Sequence, residues 1–267
     1  MSVRMFGDWL TTHGHSPTVD NLTRANVRDW LADLAAEREA STVRTRYRGL
    51  FRYCGWLVAE EEIDKHPMQG MSPPTARPKP VPVLTDEELD ALMRTCRGNT
   101  FENRRDEAII RVLLDCGLRV SELCDMTTES VDLDNEMCIV KGKGSKVRTV
   151  YFSTRTTAAL DRYARIRARH RHAGLDAFWL TQRGALSADG ARERIRHRGN
   201  LAGIEGLHPH RFRHTFAHDF LMAGGQERDL KRLAGWTSDV MLERYGASAA
   251  DARAKAAARR LKRGDRV

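Results

Sequence analysis

Residues 104–123 read Arg-Arg-Asp-Glu-Ala-Ile-Ile-Arg-Val-Leu-Leu-Asp-Cys-Gly-Leu-Arg-Val-Ser-Glu-Leu. Ala108, Ile109, Val112 and Leu113 recur at the spacing of one helical face, and Gly117 is the residue type that ends a helix in the left-handed conformation. The stretch predicts a helix from about Arg104 to Cys116. Arg119 follows at once, ahead of a helix that Ser121 is expected to cap, so its guanidinium is pinned between two packed elements.

Upstream, Leu84-Thr85-Asp86-Glu87-Glu88 places a threonine three residues before a glutamate, a capping box for a helix through Arg94. Downstream, Met137–Val140 and Val147–Phe152 are short β-type runs, and Lys141-Gly142-Lys143-Gly144-Ser145-Lys146 between them reads as a hairpin with a mobile, basic tip. The remainder is mostly helical, with two cation-dense stretches, Arg162–His172 and Arg192–Arg198. Pro209 suits the first turn of a helix, and Ser238 suits the cap of a short helix carrying Tyr245. The expected fold is therefore mainly α with a small β-hairpin, an α+β domain, preceded by a helical lobe.

That first lobe spans residues 1–73. Phe6, Trp9 and Leu10, then Val27, Trp30, Leu31 and Leu34, then Leu50, Tyr53, Cys54 and Leu57 give three short apolar helical faces. Arg44, Arg46, Arg48 and Arg52 alternate with Tyr47 and Phe51, which predicts cations along a phosphate track with the aromatics inward, or simply a solvated helix face. Six of the eight prolines fall between Pro67 and Pro82. Such a run keeps its backbone extended, so residues 74–82 read as a linker whose reach lets two lobes sit on opposite sides of a duplex. The second domain covers 83–250, and 251–267 is an Ala-rich helical tail that either docks on a neighbouring protomer or frays.

Across 267 residues the formal net charge is +9 and the pI about 9.6. The first 74 residues hold nine lysines and arginines against ten acids, leaving 36 against 26 downstream. The positive field thus belongs to the second domain, and its expected partner is a polyanion, nucleic acid first. No apolar run is long enough to span a bilayer and no cleavable signal opens the chain, so the expected setting is the cytoplasm. Five cysteines without a Cys-x-x-Cys pair read as buried, reduced thiols.

The chemistry-bearing residues point to phosphoryl transfer. Attack on a phosphodiester spreads charge over its non-bridging oxygens, and fixed guanidiniums, here Arg119 and Arg213, suit that charge. A phenol with a pKa near 10 becomes a nucleophile only beside a base or among cations. His210, three residues before Arg213, fits that need of Tyr245. Lys143 on the hairpin tip is the candidate proton donor to the leaving oxygen, or one more backbone contact beside Lys141 and Lys146. His210, His214 and His218 also recur at zinc-chelating spacing, but the stretch lacks the helical glutamate of a zinc protease. Phe212, Phe216 and Phe220 run through it as core residues, and His214 reads as a packed structural histidine.

Gly-Leu-Arg-Val-Ser-Glu-Leu at 117–123, Gly-Lys-Gly-Ser-Lys-Val-Arg at 142–148, His-Pro-His-Arg-Phe-Arg-His-Thr-Phe-Ala at 208–217, Leu-Ala-Gly-Trp at 233–236 and Tyr245 together resemble the tyrosine recombinases, or phage integrases. The resemblance spans about Leu84 to Gly246, and the first lobe is similar to their helical core-binding domain. It implies a C-shaped clamp on duplex DNA, a 3′-phosphotyrosyl bond at Tyr245, a freed 5′-hydroxyl and no metal or nucleotide cofactor. Arg119 and Arg213 would hold the scissile phosphate, Lys143 would be the general acid and His210 would assist proton transfer. Four protomers would act on two sites. Trp236 stands where most members carry histidine; an indole donates one hydrogen bond and shuttles no proton, so it is expected to position phosphate or pack against the Tyr245 helix. Arg44, Arg46, Arg48, Lys141, Lys146, Arg148 and Arg196 are the expected DNA-contacting cations. The chain begins almost at the helical lobe, which suggests a simple recombination site or a shortened start. A type IB topoisomerase and a silent DNA-binding accessory protein remain as alternatives.

Overall fold

The computed structural model describes residues 1–75, 82–142, 144, 146–239, 241–242, 250, 253–255 and 257–260. The expected nucleophile Tyr245, the hairpin-tip Lys143 and residues 76–81 of the expected linker lie outside the described residues. The chain divides into two compact units, Met1–Lys79 and Pro80–Val267.

In the first unit, helices α1 (Ser2–Thr12), α2 (Arg24–Glu37) and α3 (Ala40–Ala59) enclose a core of Phe6, Leu10, Val27, Trp30, Leu50 and Cys54. Thr23 caps α2 by accepting the Asn26 N–H. Trp30 is 1% exposed and meets the Phe6 ring edge-on at 5.3 Å. The Tyr47 hydroxyl donates to the Met71 carbonyl at 2.5 Å, and Met68 is fully buried, so the chain after α3 packs back onto the helices. Tyr47 faces inward as its spacing predicted; Phe51 remains 40% exposed, stacked on Tyr47 and tilted against His66.

The second unit is built around α5 (Phe101–Cys116). Before it, α4 (Asp86–Arg94) starts with the expected reciprocal capping box of Thr85 and Glu88. α5 begins three residues earlier than its apolar periodicity predicts, because Thr100 accepts the Asn103 N–H and initiates the helix in polar sequence. It packs against α7 (Thr154–Arg167) and α9 (Pro209–Met222), burying Ile109, Ile110 and Leu113 against Leu160, Tyr163 and Phe212. Each such aliphatic side chain contributes about 1.5–3 kcal/mol of transfer free energy. Pro209 occupies the first turn of α9, where its missing N–H is harmless.

Strands β2 (Met137–Lys141) and β3 (Val147–Tyr151) form the expected antiparallel hairpin, with Cys138 opposite Val150 and Val140 opposite Arg148. The two-residue β1 (Val131–Asp132) adds a third strand beside β2 that is too short to announce itself in sequence. A second ladder joins β4 (Leu180–Thr181) to β5 (Gly184–Ala185), ahead of α8 (Ala188–Leu201). The mainly helical fold with a small sheet thus stands as expected. Helix α10 (Glu227–Ala234) packs on α9 through Phe216, Leu221 and Leu230. In the tail, Arg253 pairs with Glu227 of α10 at 2.9 Å.

Not all of the cation-dense stretches are solvated. Arg198 and Arg105 are buried, and with the half-buried Arg194 they converge on the buried carboxylate of Asp106, with nitrogen–oxygen distances of 2.8 Å. Burial would raise the Asp106 pKa, but the Arg105 charge and the Arg194 hydrogen bond outweigh it and hold the pKa below the usual value. Arg167, 6% exposed, donates to the carbonyls of Ala173, Leu175, Ala177 and Phe178, tying down the loop ahead of β4. All five cysteines are free thiols and four are buried, Cys124 being half-buried. No helix among the described residues is long and apolar enough to cross a membrane.

Candidate active site

The turn after α5 organises the site. Gly117 adopts φ +55°, and a Cβ there would lie 2.3 Å from the Phe216 ring, so both backbone and space require glycine. Arg119 follows as the N-cap of α6 (Val120–Cys124). This corrects the expected cap at Ser121. Glu122 does the capping by accepting the Arg119 backbone N–H at 2.9 Å, and its other oxygen takes the Arg119 guanidinium at 2.7 Å. Backbone and side chain of Arg119 are therefore fixed by one carboxylate.

Glu122 itself is 3% exposed and lies within reach of a second guanidinium. Arg148 binds it in a two-pronged pair, Nη1 to Oε1 at 3.0 Å and Nη2 to Oε2 at 2.9 Å, while its Nε donates to the Leu233 carbonyl at 2.8 Å. Burial would push the Glu122 pKa up. The Arg148 hydrogen bonds, the Arg119 N–H and the Arg148 charge overcome this and hold it at about 2. The carboxylate stays ionised at neutral pH and anchors both arginines. Arg148, expected as a DNA-facing cation, is thus turned inward, and Lys141 and Lys146 on the same hairpin remain exposed.

Arg213 is 1% exposed on α9. Its Nη1 donates to the Gly117 carbonyl at 2.5 Å and its Nη2 to the Ala234 carbonyl at 2.6 Å. These two acceptors are the carboxyl-terminal carbonyls of α5 and α10, so one guanidinium joins the turn before Arg119 to the turn before Trp236. The Trp236 ring, 6% exposed, lies over this guanidinium at 5.3 Å and packs with Phe216, Leu221 and Leu230. His210 sits one turn ahead of Arg213 on α9, exposed.

An open cleft of 1020 Å³ runs between the hairpin and α10, lined by Arg119, Lys146, Arg148, Lys231, Arg232 and Trp236 among others. The lining of this cleft does not include His210, Arg213 or Arg196. Arg213 lies behind the Trp236 ring, and Arg196 is exposed on α8 in contact with Glu193. Arg44, Arg46 and Arg48 belong to α3 of the first unit, the first two half-buried and Arg48 exposed. His214 is 4% exposed, in the packed position its sequence context predicted.

On sequence alone Glu122 has no role and Arg148 a different one. A carboxylate three residues after a helix N-cap is the second half of a capping box, which is the signal for Glu122. Arg148 shares the strand parity of buried Val150, so period-two alternation already aims it at the interior.

The phage integrase family model matches residues 82–252 of the chain. Tyrosine recombinase XerD of Pseudomonas putida is 32% identical over 240 residues, covering 86% of this chain and 78% of the relative. Tyrosine recombinase XerC of Staphylococcus aureus is 30% identical over 203 residues, covering 75% and 66%. Among solved structures, the XerH site-specific recombinase bound to palindromic difH substrate superposes with TM-score 0.78 at 17% identity, over 94% of this chain and 75% of that one. The Tn1549 transposon integrase in complex with transposon right end DNA gives 0.72 at 18%, over 97% and 99%. The structural matches share the fold, and the family match together with the sequence identities settles the lineage: the chain is a tyrosine recombinase, a member of the phage integrase family.

Proposed function

We propose that this protein is a site-specific recombinase that breaks and rejoins duplex DNA through a 3′-phosphotyrosyl bond at Tyr245. The observation that carries the reading is the bridge made by Arg213. It ties the α5 terminus, two residues before Arg119, to the α10 terminus, two residues before Trp236, so three residues scattered over more than a hundred positions share one locus. In the reaction, the Tyr245 oxygen attacks phosphorus while the phenolic proton passes to His210. The bond to the 5′ oxygen breaks, and Lys143 gives that oxygen its proton. Arg119 holds the non-bridging oxygens, where charge accumulates, and Arg213, whose two terminal nitrogens are taken by the Gly117 and Ala234 carbonyls, fixes the turn that presents Arg119. The phosphodiester energy is kept in the new bond, so the reverse attack reseals without ATP or metal.

The unit Met1–Lys79 would serve as a core-binding DNA domain and the unit Pro80–Val267 as the catalytic domain, acting in the cytoplasm as a tetramer on two DNA sites. Support comes from relatives named as recombinases and from structural neighbours described as bound to DNA. The test takes duplexes selected by binding from a random library, clones two copies into a supercoiled plasmid and incubates in EDTA. Recombinant circles that require both copies are the expected product. Relaxation of plasmid lacking any copy would favour the topoisomerase reading instead.

A further inference from the structure

A second basic feature lies at the opposite end of α5. Arg104 is in its first turn and Gly117 at its end, thirteen residues on, or about 20 Å at 1.5 Å per residue. There a cavity of 430 Å³ is lined by Arg94, Arg97, Arg104, Arg111 and Arg162 around the carboxylates of Asp90 and Glu107.

The arrangement is ordered by one acid. Glu107, whose side chain is 13% exposed, receives Arg111 Nε at 3.1 Å and Arg162 Nη2 at 3.0 Å on the same oxygen, with Arg104 Nη1 at 3.6 Å from the other. Three guanidiniums are thus preorganised by a single negative charge. Each carries five N–H donors, most of which these contacts leave unused. The Arg162 Nε is buried with no hydrogen-bond partner among the described residues. Arg94 and Arg97 stand exposed on the rim and make no ion pair among the described residues. The lining therefore holds five positive charges against two negative ones, and the amino-terminal dipole of α5 adds to the same field.

We propose that this cavity binds a phosphoryl group, supplied either by a free polyphosphate or by the DNA backbone. An anion bound here would give the buried Arg162 Nε an acceptor and offset the repulsion among the clustered guanidiniums. A carboxylate offers two oxygens and one charge. A polyphosphate offers several anionic oxygens and more than one charge within a few ångströms, and successive DNA phosphates, each with two non-bridging oxygens and one charge, offer the same in a row, so either matches several planar forks at once. Only the DNA source rests on the proposed recombinase function; the free-anion source does not.

The test titrates sodium tripolyphosphate at constant ionic strength and reads the thermal midpoint of the full chain. Wild type is compared with the inner pair Arg104→Gln/Arg162→Gln and the rim pair Arg94→Gln/Arg97→Gln. The expected result is a saturable rise in wild type, with half-saturation shifted upward about tenfold or more in either variant. If the inner pair fails to fold, the rim pair, whose side chains are exposed, gives the reading. Equal half-saturation in wild type and rim pair, or a rise that chloride alone reproduces, overturns the proposal. Anisotropy of a labelled duplex across a salt series then names the source. A salt slope shallower by about 1–2 in the rim pair assigns DNA phosphates, since each lost contact removes roughly 0.9; an unchanged slope with the tripolyphosphate effect intact assigns a free polyphosphate. Because the thermal reading needs no cleavage, failure at Tyr245 and failure at this cavity are separately visible.

Discussion

Arg148 and Glu122 meet through two parallel hydrogen bonds of 3.0 and 2.9 Å, below the surface of a cleft whose opposite wall is α10. Because Arg148 also holds the Leu233 carbonyl, this pair joins the hairpin to α6 and to the end of α10. Gly235 completes the fit: a Cβ there would lie 3.0 Å from Arg148 Nη1. Arg148→Met strips Glu122 of one of its two guanidinium partners inside the protein. Broken buried pairs cost about 3–5 kcal/mol, and the remaining Arg119 contact should hold this loss to roughly 2–4 kcal/mol. In denaturant unfolding, the Arg148→Met/Glu122→Gln double variant should lose less than the two singles combined, by about 1–3 kcal/mol. Strict additivity would show that the pair is not coupled.

Stability should also depend on pH through Glu122. Its folded pKa, about 2, lies below the ordinary 4.5, so its contribution is complete above pH 4.5 and disappears as pH falls toward 2. At about 1.4 kcal/mol per unit, the full contribution is roughly 3 kcal/mol. Unfolding curves of wild type and Glu122→Gln should therefore converge between pH 4.5 and 2. A constant gap across that window would remove the assignment.

Gly117 carries two independent constraints. Alanine at φ +55° costs about 1–2 kcal/mol, and its methyl would meet the Phe216 ring at 2.3 Å. Together with overpacking, Gly117→Ala should lower unfolding free energy by roughly 2–4 kcal/mol. Because the Gly117 carbonyl holds Arg213, the substitution should also slow DNA cleavage in protein that is still folded. Wild-type stability in this variant would contradict the packing.

Much of this was legible in advance, for physical reasons that differ from residue to residue. The α5 boundary at Gly117 could be read because apolar period and left-handed glycine agree. Arg119 was found, but not its anchor, because arginine has no side-chain oxygen and hides a capping box completed by Glu122. Arg148 reads as a DNA-contacting cation beside Lys141 and Lys146, though strand parity turns it inward. Arg194 and Arg198 show in sequence only as members of a cation-dense stretch and Arg105 carries no signal, since nothing local reveals that Asp106 lies beneath all three. Such pairings are made by tertiary packing between residues up to 92 positions apart, which no helical or strand period encodes.

Trp236 separates packing from phosphate contact. Trp236→Ala removes a ring that is 6% exposed and should cost about 3–5 kcal/mol. Trp236→Phe keeps an aromatic face over Arg213 but loses the indole donor. We expect it to fold like wild type while covalent adduct forms about a hundredfold to a thousandfold more slowly, the scale of one lost transition-state donor. An unchanged rate would leave the indole a packing role only.

The central claim is that Tyr245 becomes joined to DNA. Wild type and Tyr245→Phe are incubated in EDTA with a nicked duplex carrying a selected site, then denatured, and the adduct is digested and mapped by mass spectrometry. The account predicts a denaturant-resistant adduct in wild type, a freed 5′-hydroxyl, the DNA mass on the peptide containing Tyr245, and no adduct in Tyr245→Phe. An adduct that survives in Tyr245→Phe, or that maps to another residue, would contradict it.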